Sequence, residues 1–264
     1  MKQMTVGTLP ARMLIRATDV ALGYEGHTIL EGIHFTVSDG EYLCIVGENG
    51  SGKSTLSNVL CGNPHYEVTG GSVVFKGENL LKLNIEERAR LGVFLAFQSP
   101  VEIPGVSMAT FMKYALNARR KAAGEKELDA VGFMKRIKVR AQALNVTDEM
   151  LKRPVNVGFS GGEKKRLETF QMAMLEPDFC ILDEMDSGMD VDAVKVAGNG
   201  VKIMRSPERS FLVISHNIKF IREQIAPDKV HVLANGRVVA DGGAELLDEV
   251  DKNGFAGFVK EAGA

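Results

Sequence analysis

The chain has 264 residues, of which 45% are hydrophobic and 25% are charged, the balance of an ordinary folded protein. Its 32 basic and 34 acidic side chains give a formal net charge of -2, which argues against general nucleic-acid binding, since phosphate backbones select clustered Lys and Arg. No apolar run approaches the roughly 18 residues that cross a bilayer, and the N-terminus lacks a secretory core. We therefore expect a cytoplasmic protein with no nucleic-acid partner and no direct membrane insertion.

The N-terminal residues 1–12 are predicted to form a tail, and residues 13–264 a single large domain. The chain has three cysteines, Cys44, Cys61 and Cys180, all in apolar surroundings. Their odd number and the lack of a CxxC spacing suit a reducing compartment. We interpret them as buried thiols that act as small hydrophobic side chains, and the sequence leaves open whether they ever contact iron.

The first third of the chain is rich in β-forming residues. Segments 13–20, 28–37 and 70–76 are predicted strands of an antiparallel sheet, with a turn at 23–26. The continuous apolar run Tyr42–Val46 is typical of a strand buried on both faces. A glycine-rich loop follows it, and residues 54–61 continue as a predicted helix.

This glycine-rich loop matches the phosphate-binding pattern G-x-x-x-x-G-K-[ST]. The residues predicted to bind ATP here are Gly47, Glu48, Asn49, Gly50, Ser51, Gly52, Lys53, Ser54 and Thr55. Glycines let successive backbone N–H groups face phosphate oxygens, and the following helix adds the positive end of its dipole. Lys53 would contact the β- and γ-phosphates, and the Ser54 hydroxyl would bind Mg²⁺. A strand before the loop and a helix after it make a chance match improbable.

Residues 98–160 have a helical texture that separates them from their surroundings. Ser107 is a predicted N-cap, Gly124 a predicted C-terminal stop, and a first apolar stripe lies between them. Its members are Met108, Phe111, Met112 and Ala115, and those of a second stripe are Leu128, Val131, Met134, Ile137, Ala141 and Leu144. The pattern predicts a helical subdomain inserted into an α/β core.

The second half returns to alternating strands and helices. Residues 179–182 and Ser210–Ile214 are predicted buried strands, and Val191–Met204 a predicted helix. Asn235-Gly236 predicts a two-residue hairpin. The strand at 179–182 ends in Asp183 and Glu184, which a parallel sheet would place at its ligand-binding edge. There Asp183 would hold Mg²⁺, and Glu184 would polarise the attacking water.

Several motifs in chain order resemble those of ATP-binding-cassette (ABC) ATPases. Phe159-Ser160-Gly161-Gly162-Glu163 looks like the LSGGQ signature, and residues 186–190 look like the D-loop that follows the acids. The resemblance implies an α/β, ABC ATPase fold, a P-loop α/β core with an antiparallel β subdomain and an inserted helical subdomain. It also implies that Tyr24 stacks on adenine, that Gln98 is the Q-loop glutamine and a Mg²⁺ ligand, and that His216 is the switch histidine. Glu184, His216, Gln98 and Lys53 would then form the catalytic set.

The signature also predicts a second copy of the chain. Ser160, Gly161 and Gly162 precede a predicted helix, 164–175, and helix N-termini with adjacent glycines bind anions. In ABC ATPases this segment contacts ATP held by another protomer, which implies an ATP-dependent head-to-tail dimer. Two interpretations of the basic run 164–166 remain open, a solvated first turn and a regulatory contact with Glu184.

Two longer stretches resemble the SufC type of ABC ATPase, which serves the Suf iron–sulfur cluster assembly system. They are 97–106, the Q-loop stretch FQSPVEIPGV, and 156–166, the signature stretch NVGFSGGEKKR. This resemblance implies SufB/SufD-like scaffold proteins as partners, contacted through the region after Gln98. Two alternatives stay open at this point, the ATP-binding subunit of an ABC importer and a nucleotide-dependent assembly module without hydrolysis.

Overall fold

A computed structural model describes residues 12–187 and 191–262. The predicted N-terminal tail lies outside the described residues except for Arg12, and so do positions 188–190 of the predicted D-loop. Within the described part, the strands are β1 (Met13–Tyr24), β2 (His27–Ser38), β3 (Tyr42–Val46), β4 (Glu67–Phe75), β5 (Glu78–Asn79), β6 (Val93–Ala96), β7 (Ile103–Ser107), β8 (Pro154–Val155), β9 (Phe179–Asp183), β10 (Ser210–Ile214), β11 (Lys229–Ala234) and β12 (Arg237–Gly242).

The described residues also form the helices of the fold. They are α1 (Lys53–Cys61), α2 (Ile85–Leu91), α3 (Met108–Ala122), α4 (Ala130–Ala143), α5 (Asp148–Lys152), α6 (Gly161–Leu175), α7 (Val191–Met204), α8 (Ile218–Phe220), α9 (Glu245–Asn253) and α10 (Phe255–Ala262). A 3₁₀ turn lies at Leu80–Lys82, and a π-helical turn at Ile221–Ile225. Among the helices of the described ranges, none is long and apolar enough to span a bilayer.

The strands of the larger sheet follow the order β12-β11-β3-β10-β9-β6. Neighbours from β11 to β6 run parallel, and β12 joins β11 as an antiparallel hairpin. The hairpin turn is Asn235-Gly236, with φ of 48° and 76°. These left-handed angles are those that a two-residue turn of this type requires, which explains the Asn-Gly pair. The predicted hairpin is confirmed.

Apolar side chains of the parallel strands pack on both faces of this sheet. On β3, Cys44 and Val46 face a core built with the long helices, while Leu43 and Ile45 face a core shared with the antiparallel sheet. This second sheet has the order β2-β1-β4-β5. Burial on both faces is the reason that β3 reads as a continuous apolar run, and the predicted strand is confirmed with its bounds.

The predicted helical insertion is present as α3, α4 and α5. Ser107 caps α3 as predicted, since its hydroxyl accepts the Thr110 N–H at 3.2 Å. A short antiparallel pair, β7 with β8, closes the base of the insertion. The sequence does not indicate it, because two residues of β8 carry no strand pattern of their own. The predicted subdomain limits of about 98–160 stay a prediction.

The predicted apolar face of the second helix is partly wrong. Val131 and Met134 lie 77% and 60% exposed, whereas α4 buries Phe133, Ile137 and Ala141. Steps of three residues fall about 60° short of a full helical turn. Residues 128, 131, 134 and 137 are spaced by three throughout, so successive members rotate away from the buried face of the helix. A face that stays in contact with the core requires spacings of three and four in alternation.

A buried arginine joins α2 to the end of α1. Arg88 is 5% exposed, and its guanidinium donates to the carbonyl oxygens of Val59 at 2.5 Å, Leu60 at 3.1 Å and Leu83 at 2.8 Å. The first two carbonyls lie in the last turn of α1, where helical i+4 partners run out, and the Val59 carbonyl also accepts the N–H of the C-cap residue Gly62 at 3.0 Å. Arg88 thus fixes the helix that follows the phosphate-binding loop.

We expect Arg88→Met to lower the free energy of unfolding by about 2–4 kcal/mol, because buried carbonyl groups would lose a charged donor. Arg90→Met is the control, since Arg90 is an exposed neighbour that pairs with Glu86 on the same helix, and its loss should cost at most about 0.5 kcal/mol. Urea unfolding measures both. Equal effects of the two substitutions would contradict the role of Arg88.

Candidate active site

Four neighbouring parallel strands deliver the predicted site residues to one edge of the larger sheet. Ile45 of β3, Ile214 of β10 and Asp183 of β9 lie in one row of the register, and Ala96 of β6 pairs with Leu182. Each strand ends within about two residues of this row. The phosphate-binding loop, His216, Glu184 and Gln98 follow these ends, so the motifs converge although they are far apart in the chain.

The phosphate-binding loop wraps around its own lysine. Lys53 is 4% exposed, and its Nζ donates to the carbonyl oxygens of Gly47 at 2.9 Å and Glu48 at 2.7 Å. Burial lowers the pKa of Lys53, while the carboxylates of Glu184 and Asp183 act in the opposite direction. A Cβ at Gly47 would stand 2.1 Å from the Leu233 carbonyl oxygen, so glycine is required there. The arrangement holds a cation where phosphate groups would enter.

Asp183 is held by two hydroxyl groups of α1. Ser54 Oγ donates to Oδ1 at 3.0 Å, and Ser57 Oγ donates to Oδ2 at 2.7 Å. Burial raises the pKa of Asp183, and both hydrogen bonds oppose this effect. Sequence reasoning missed Ser57. Its spacing of three from Ser54 on a helix was the available signal, because that spacing places both hydroxyls on one face.

Oxygen donors suited to Mg²⁺ gather at this point. Ser54, Asp183 and Gln98 offer a hydroxyl, a carboxylate and an amide oxygen, the hard donors that Mg²⁺ prefers. No group of three or more His, Cys, Asp or Glu side chains is placed to hold a metal within the described ranges. A single carboxylate still fits, since Mg²⁺ at nucleotide sites is bound largely by phosphates and water.

Glu184 is the central side chain of the site. It is 7% exposed, and its carboxylate accepts a hydrogen bond from Gln98 Nε2 at 2.7 Å and lies 3.4 Å from His216 Nδ1. Its backbone has a φ of 46°, a left-handed conformation that costs a non-glycine residue of order 1 kcal/mol or more. The Glu184 N–H donates to the Ile214 carbonyl at 2.8 Å and holds that conformation.

A second acid after β9 supports the loop from β10. Asp186 is buried, and it accepts the Ser215 hydroxyl at 3.1 Å, while the same hydroxyl accepts the Asn217 N–H at 3.0 Å. Burial raises the pKa of Asp186 and the Ser215 bond lowers it. Ser215 and Asn217 flank His216 on the chain, so the contact between Asp186 and Ser215 holds the segment that carries His216. This contact was also missed, because it joins two loops that the sequence separates by 29 positions.

The cavity at this edge of the sheet has a volume of about 290 Å³, and several of the predicted site residues line it. Its walls include Asn49, Lys53, Ser54, Thr55, Gln98 and Glu184. Tyr24 lies outside those walls, 42% exposed, with its ring 5.9 Å from that of Tyr66. Its contact with adenine stays a prediction.

The signature segment does not line this cavity. Ser160 caps α6, its hydroxyl accepting the Glu163 N–H at 3.4 Å. In return Glu163 Oε2 accepts the Ser160 N–H at 2.8 Å and the Ser160 hydroxyl at 2.9 Å. These two bonds lower the pKa of Glu163. The N-terminus of α6 is therefore exposed but already faces a carboxylate of its own chain.

The basic run after the signature follows neither interpretation of the sequence. Lys164 pairs with Glu102 at 2.7 Å, and Arg166 donates to the Asn145 carbonyl at 3.2 Å. Lys165 is not solvated but buried, and it pairs with Glu168 at 3.3 Å. The regulatory contact with Glu184 is not formed, because these partners draw the cations elsewhere.

The three cysteines are free thiols in the interior. Cys44 and Cys180 are fully buried and Cys61 is partly exposed. Burial raises the pKa of all three thiols, to about 12 for Cys61. The burial of Cys44 and Cys180 agrees with the predicted packing role.

Comparison of the chain with known proteins identifies its family. Residues 30–187 match the ABC transporter family. The chain is 48% identical to the "Probable ATP-dependent transporter ycf16" of Cyanophora paradoxa over 88% of this chain and 89% of that protein. It is 46% identical to the "Probable ATP-dependent transporter SufC" of Escherichia coli over 94% and 100%.

A solved dimeric structure of the ATP-binding cassette MJ0796, in a post-hydrolysis state bound to ADP and Pi, has the same fold, with a TM-score of 0.74 at 18% identity over 88% of this chain and 99% of that one. The family match covers more than half of the chain, and the two curated relatives align over most of both lengths. The chain therefore belongs to the ABC family, and within it is a SufC-like ATPase.

Proposed function

We propose that this protein hydrolyses ATP as a cytoplasmic SufC-type subunit and transmits the resulting motion to a SufB/SufD-like scaffold that assembles iron–sulfur clusters. The observation that carries the hydrolytic part is the buried Glu184 carboxylate, which Gln98 holds at 2.7 Å beside the phosphate-binding loop. The scaffold part is supported by the SufC-like stretches 97–106 and 156–166 and by the similarity to the Escherichia coli relative.

The phosphate-binding loop supplies the affinity for nucleotide. Lys53 Nζ, which now donates to two loop carbonyls, would exchange these for phosphate oxygens, and the N-terminus of α1 would add its dipole. Ser54, Gln98 and Asp183 would hold Mg²⁺, which neutralises charge on the β- and γ-phosphates when bound. Ser57 keeps the Asp183 carboxylate turned toward this position.

Glu184 then acts as the general base. Its carboxylate would orient a water molecule and take its proton as the water oxygen bonds to the γ-phosphorus, while the bond from this phosphorus to the β–γ bridging oxygen breaks and ADP leaves. Gln98 and His216, at 2.7 and 3.4 Å from the carboxylate, fix its direction. His216 and Lys53 would stabilise the charge that develops on the phosphate. The left-handed backbone of Glu184 aims the side chain into the cavity and away from the strand axis.

A second copy of the chain would complete each site. Ser160, Gly161 and Gly162 offer hydroxyl and N–H donors at an exposed helix start that lies outside the cavity of their own chain. A head-to-tail dimer would bring this start to the γ-phosphate of the partner's ATP. We therefore expect turnover per chain to rise with protein concentration.

We expect Glu184→Gln to bind ATP with nearly unchanged affinity and to lose at least about 100-fold in turnover, because the amide cannot take a proton. Phosphate release measures the rate, and calorimetry measures the affinity. Glu208→Gln is the matched control, since Glu208 is an exposed acid beside the opposite end of β10. If Glu184→Gln kept the turnover of the wild type, the assignment of Glu184 would be wrong.

The Glu163 carboxylate opposes the proposed dimer, because it places a negative charge where the partner's γ-phosphate would bind. Glu163→Gln should lower the protein concentration for half-maximal turnover about fivefold, since a unit charge about 4 Å from another costs about 1 kcal/mol in water. The gain should shrink as salt is added. Glu149→Gln, in the first turn of α5, is the control. Unchanged or weaker assembly of Glu163→Gln would refute this reasoning.

The exposed apolar residues after Gln98 are the predicted partner contact. Val101 is 61% exposed, and we expect Val101→Asp to lose co-purification with the soluble scaffold while keeping basal ATP hydrolysis. Val139→Asp is the control, because Val139 is 59% exposed on α4 and outside the contact. Recovery of the native chain with a membrane permease, in place of a soluble scaffold, would favour the importer alternative.

A further inference from the structure

A buried ion pair on α6 has no part in the mechanism described above. The side chains of Lys165 and Glu168 are 5% and 4% exposed, and Nζ lies 3.3 Å from Oε2. Burying two charges is costly unless further polar contacts compensate. Burial raises the pKa of Glu168 to about 7, against the effect of Lys165. A pair in such a position calls for an explanation beyond packing.

Both charged groups bind the backbone of one residue, on the two peptide units that flank its Cα. The Phe97 N–H donates to Glu168 Oε1 at 2.8 Å, and the Phe97 carbonyl accepts a hydrogen bond from Lys165 Nζ. Phe97 is the first residue after β6, whose register with β9 ends at Ala96. Where the pairing of β6 with β9 ends, the ion pair therefore provides the hydrogen-bond partners of the Phe97 N–H and carbonyl groups.

The next residue is Gln98, whose amide donates to Glu184 at 2.7 Å. Fixing both backbone groups of Phe97 thus fixes the start of the side chain that orients the catalytic carboxylate. The N-cap of the same helix is Ser160, and α6 begins at Gly161, about one turn before Lys165. A single rigid helix therefore reaches from the signature segment to the backbone beside Gln98.

Other contacts tie the two segments together along their length. Lys164 pairs with Glu102 at 2.7 Å, and Asn156 Nδ2 donates to the Val101 carbonyl at 2.7 Å. β7 pairs with β8 where Ile103 faces Val155. The chain after Gln98 thus contacts the signature region at several successive residues. The contacts of Lys165 and Glu168 with Phe97 precede these contacts and lie next to Gln98 in the chain.

We propose that Lys165 and Glu168 are positioning residues, which hold the backbone N–H and carbonyl of Phe97 so that Gln98 holds Glu184 in its reactive direction and follows any movement of the signature helix. This inference rests on the proposed function, since it assumes that Glu184 is the base. It assigns to the pair a role that is exerted through Gln98.

The test replaces both charges together, because removing one alone would leave the other buried and unpaired. Lys165→Met/Glu168→Leu should bind ATP with an unchanged KM and lose on the order of tenfold in kcat, since small errors in catalytic geometry are costly. Lys165→Met/Glu168→Gln keeps an oxygen that accepts the Phe97 N–H and should recover most of kcat. Thr169→Val, a buried change on the same helix that does not touch Phe97, is the control for packing.

A double-mutant cycle separates positioning from general damage. Added to Gln98→Ala, the Met/Leu change should cause little further loss of kcat, because both act through the same amide. Full multiplication of the two losses would overturn the proposal, and so would wild-type kcat in the Met/Leu variant or equal losses in the Met/Leu and Met/Gln variants. Any of these results would refute the positioning role alone, provided that Glu184→Gln is inactive. An active Glu184→Gln would refute the proposed function.

Hydrogen exchange on the unmodified protein gives a reading that does not depend on any variant folding. The Phe97 amide should exchange slowly although its side chain is 43% exposed and no strand pairing covers it, because Glu168 accepts its proton. Exchange at the rate of an open loop would overturn the positioning role.

Discussion

The alignment of the parallel strands is the constraint on which the rest of this structure depends. β3, β10, β9 and β6 end in nearly the same row, so the chain leaves the sheet four times along one edge. Apolar side chains that alternate between two cores hold this register, because a slip of one residue would exchange the two faces of a strand. The active site is a consequence of where these strands stop, and its residues need no contact with one another to be brought together.

The two neighbouring acids of the site receive different surroundings from the same strand end. Asp183 meets hydroxyl groups of α1, whereas Glu184 turns out of the strand through a left-handed backbone and meets Gln98 and His216. Burying a carboxylate is tolerated only where donors compensate. The donors therefore give the two acids different surroundings, and the proposed function uses this difference, with Asp183 for the cation and Glu184 for the attacking water.

The signature region and the segment after Gln98 behave as one connected part. The β7–β8 pairing, the Lys164–Glu102 ion pair and the contacts of Phe97 join them, so a displacement at the start of α6 reaches the Glu184 carboxylate through a short path. The segment that would contact a scaffold also belongs to this part. Nucleotide, partner copy and scaffold would therefore act on the same group of residues, which gives the proposed motion a physical route.

Features with local signals could be predicted from the sequence. They are the phosphate-binding loop, the strand Tyr42–Val46, the helix Val191–Met204 and the Asn235-Gly236 hairpin, which follow from short patterns of glycine and apolar residues. The folded chain was needed to show which face of α4 is buried, that Ser57 supports Asp183, and that Lys165 binds Glu168 and Phe97. Those answers depend on groups brought close by the sheet from distant parts of the chain, and no pattern within a single segment records them.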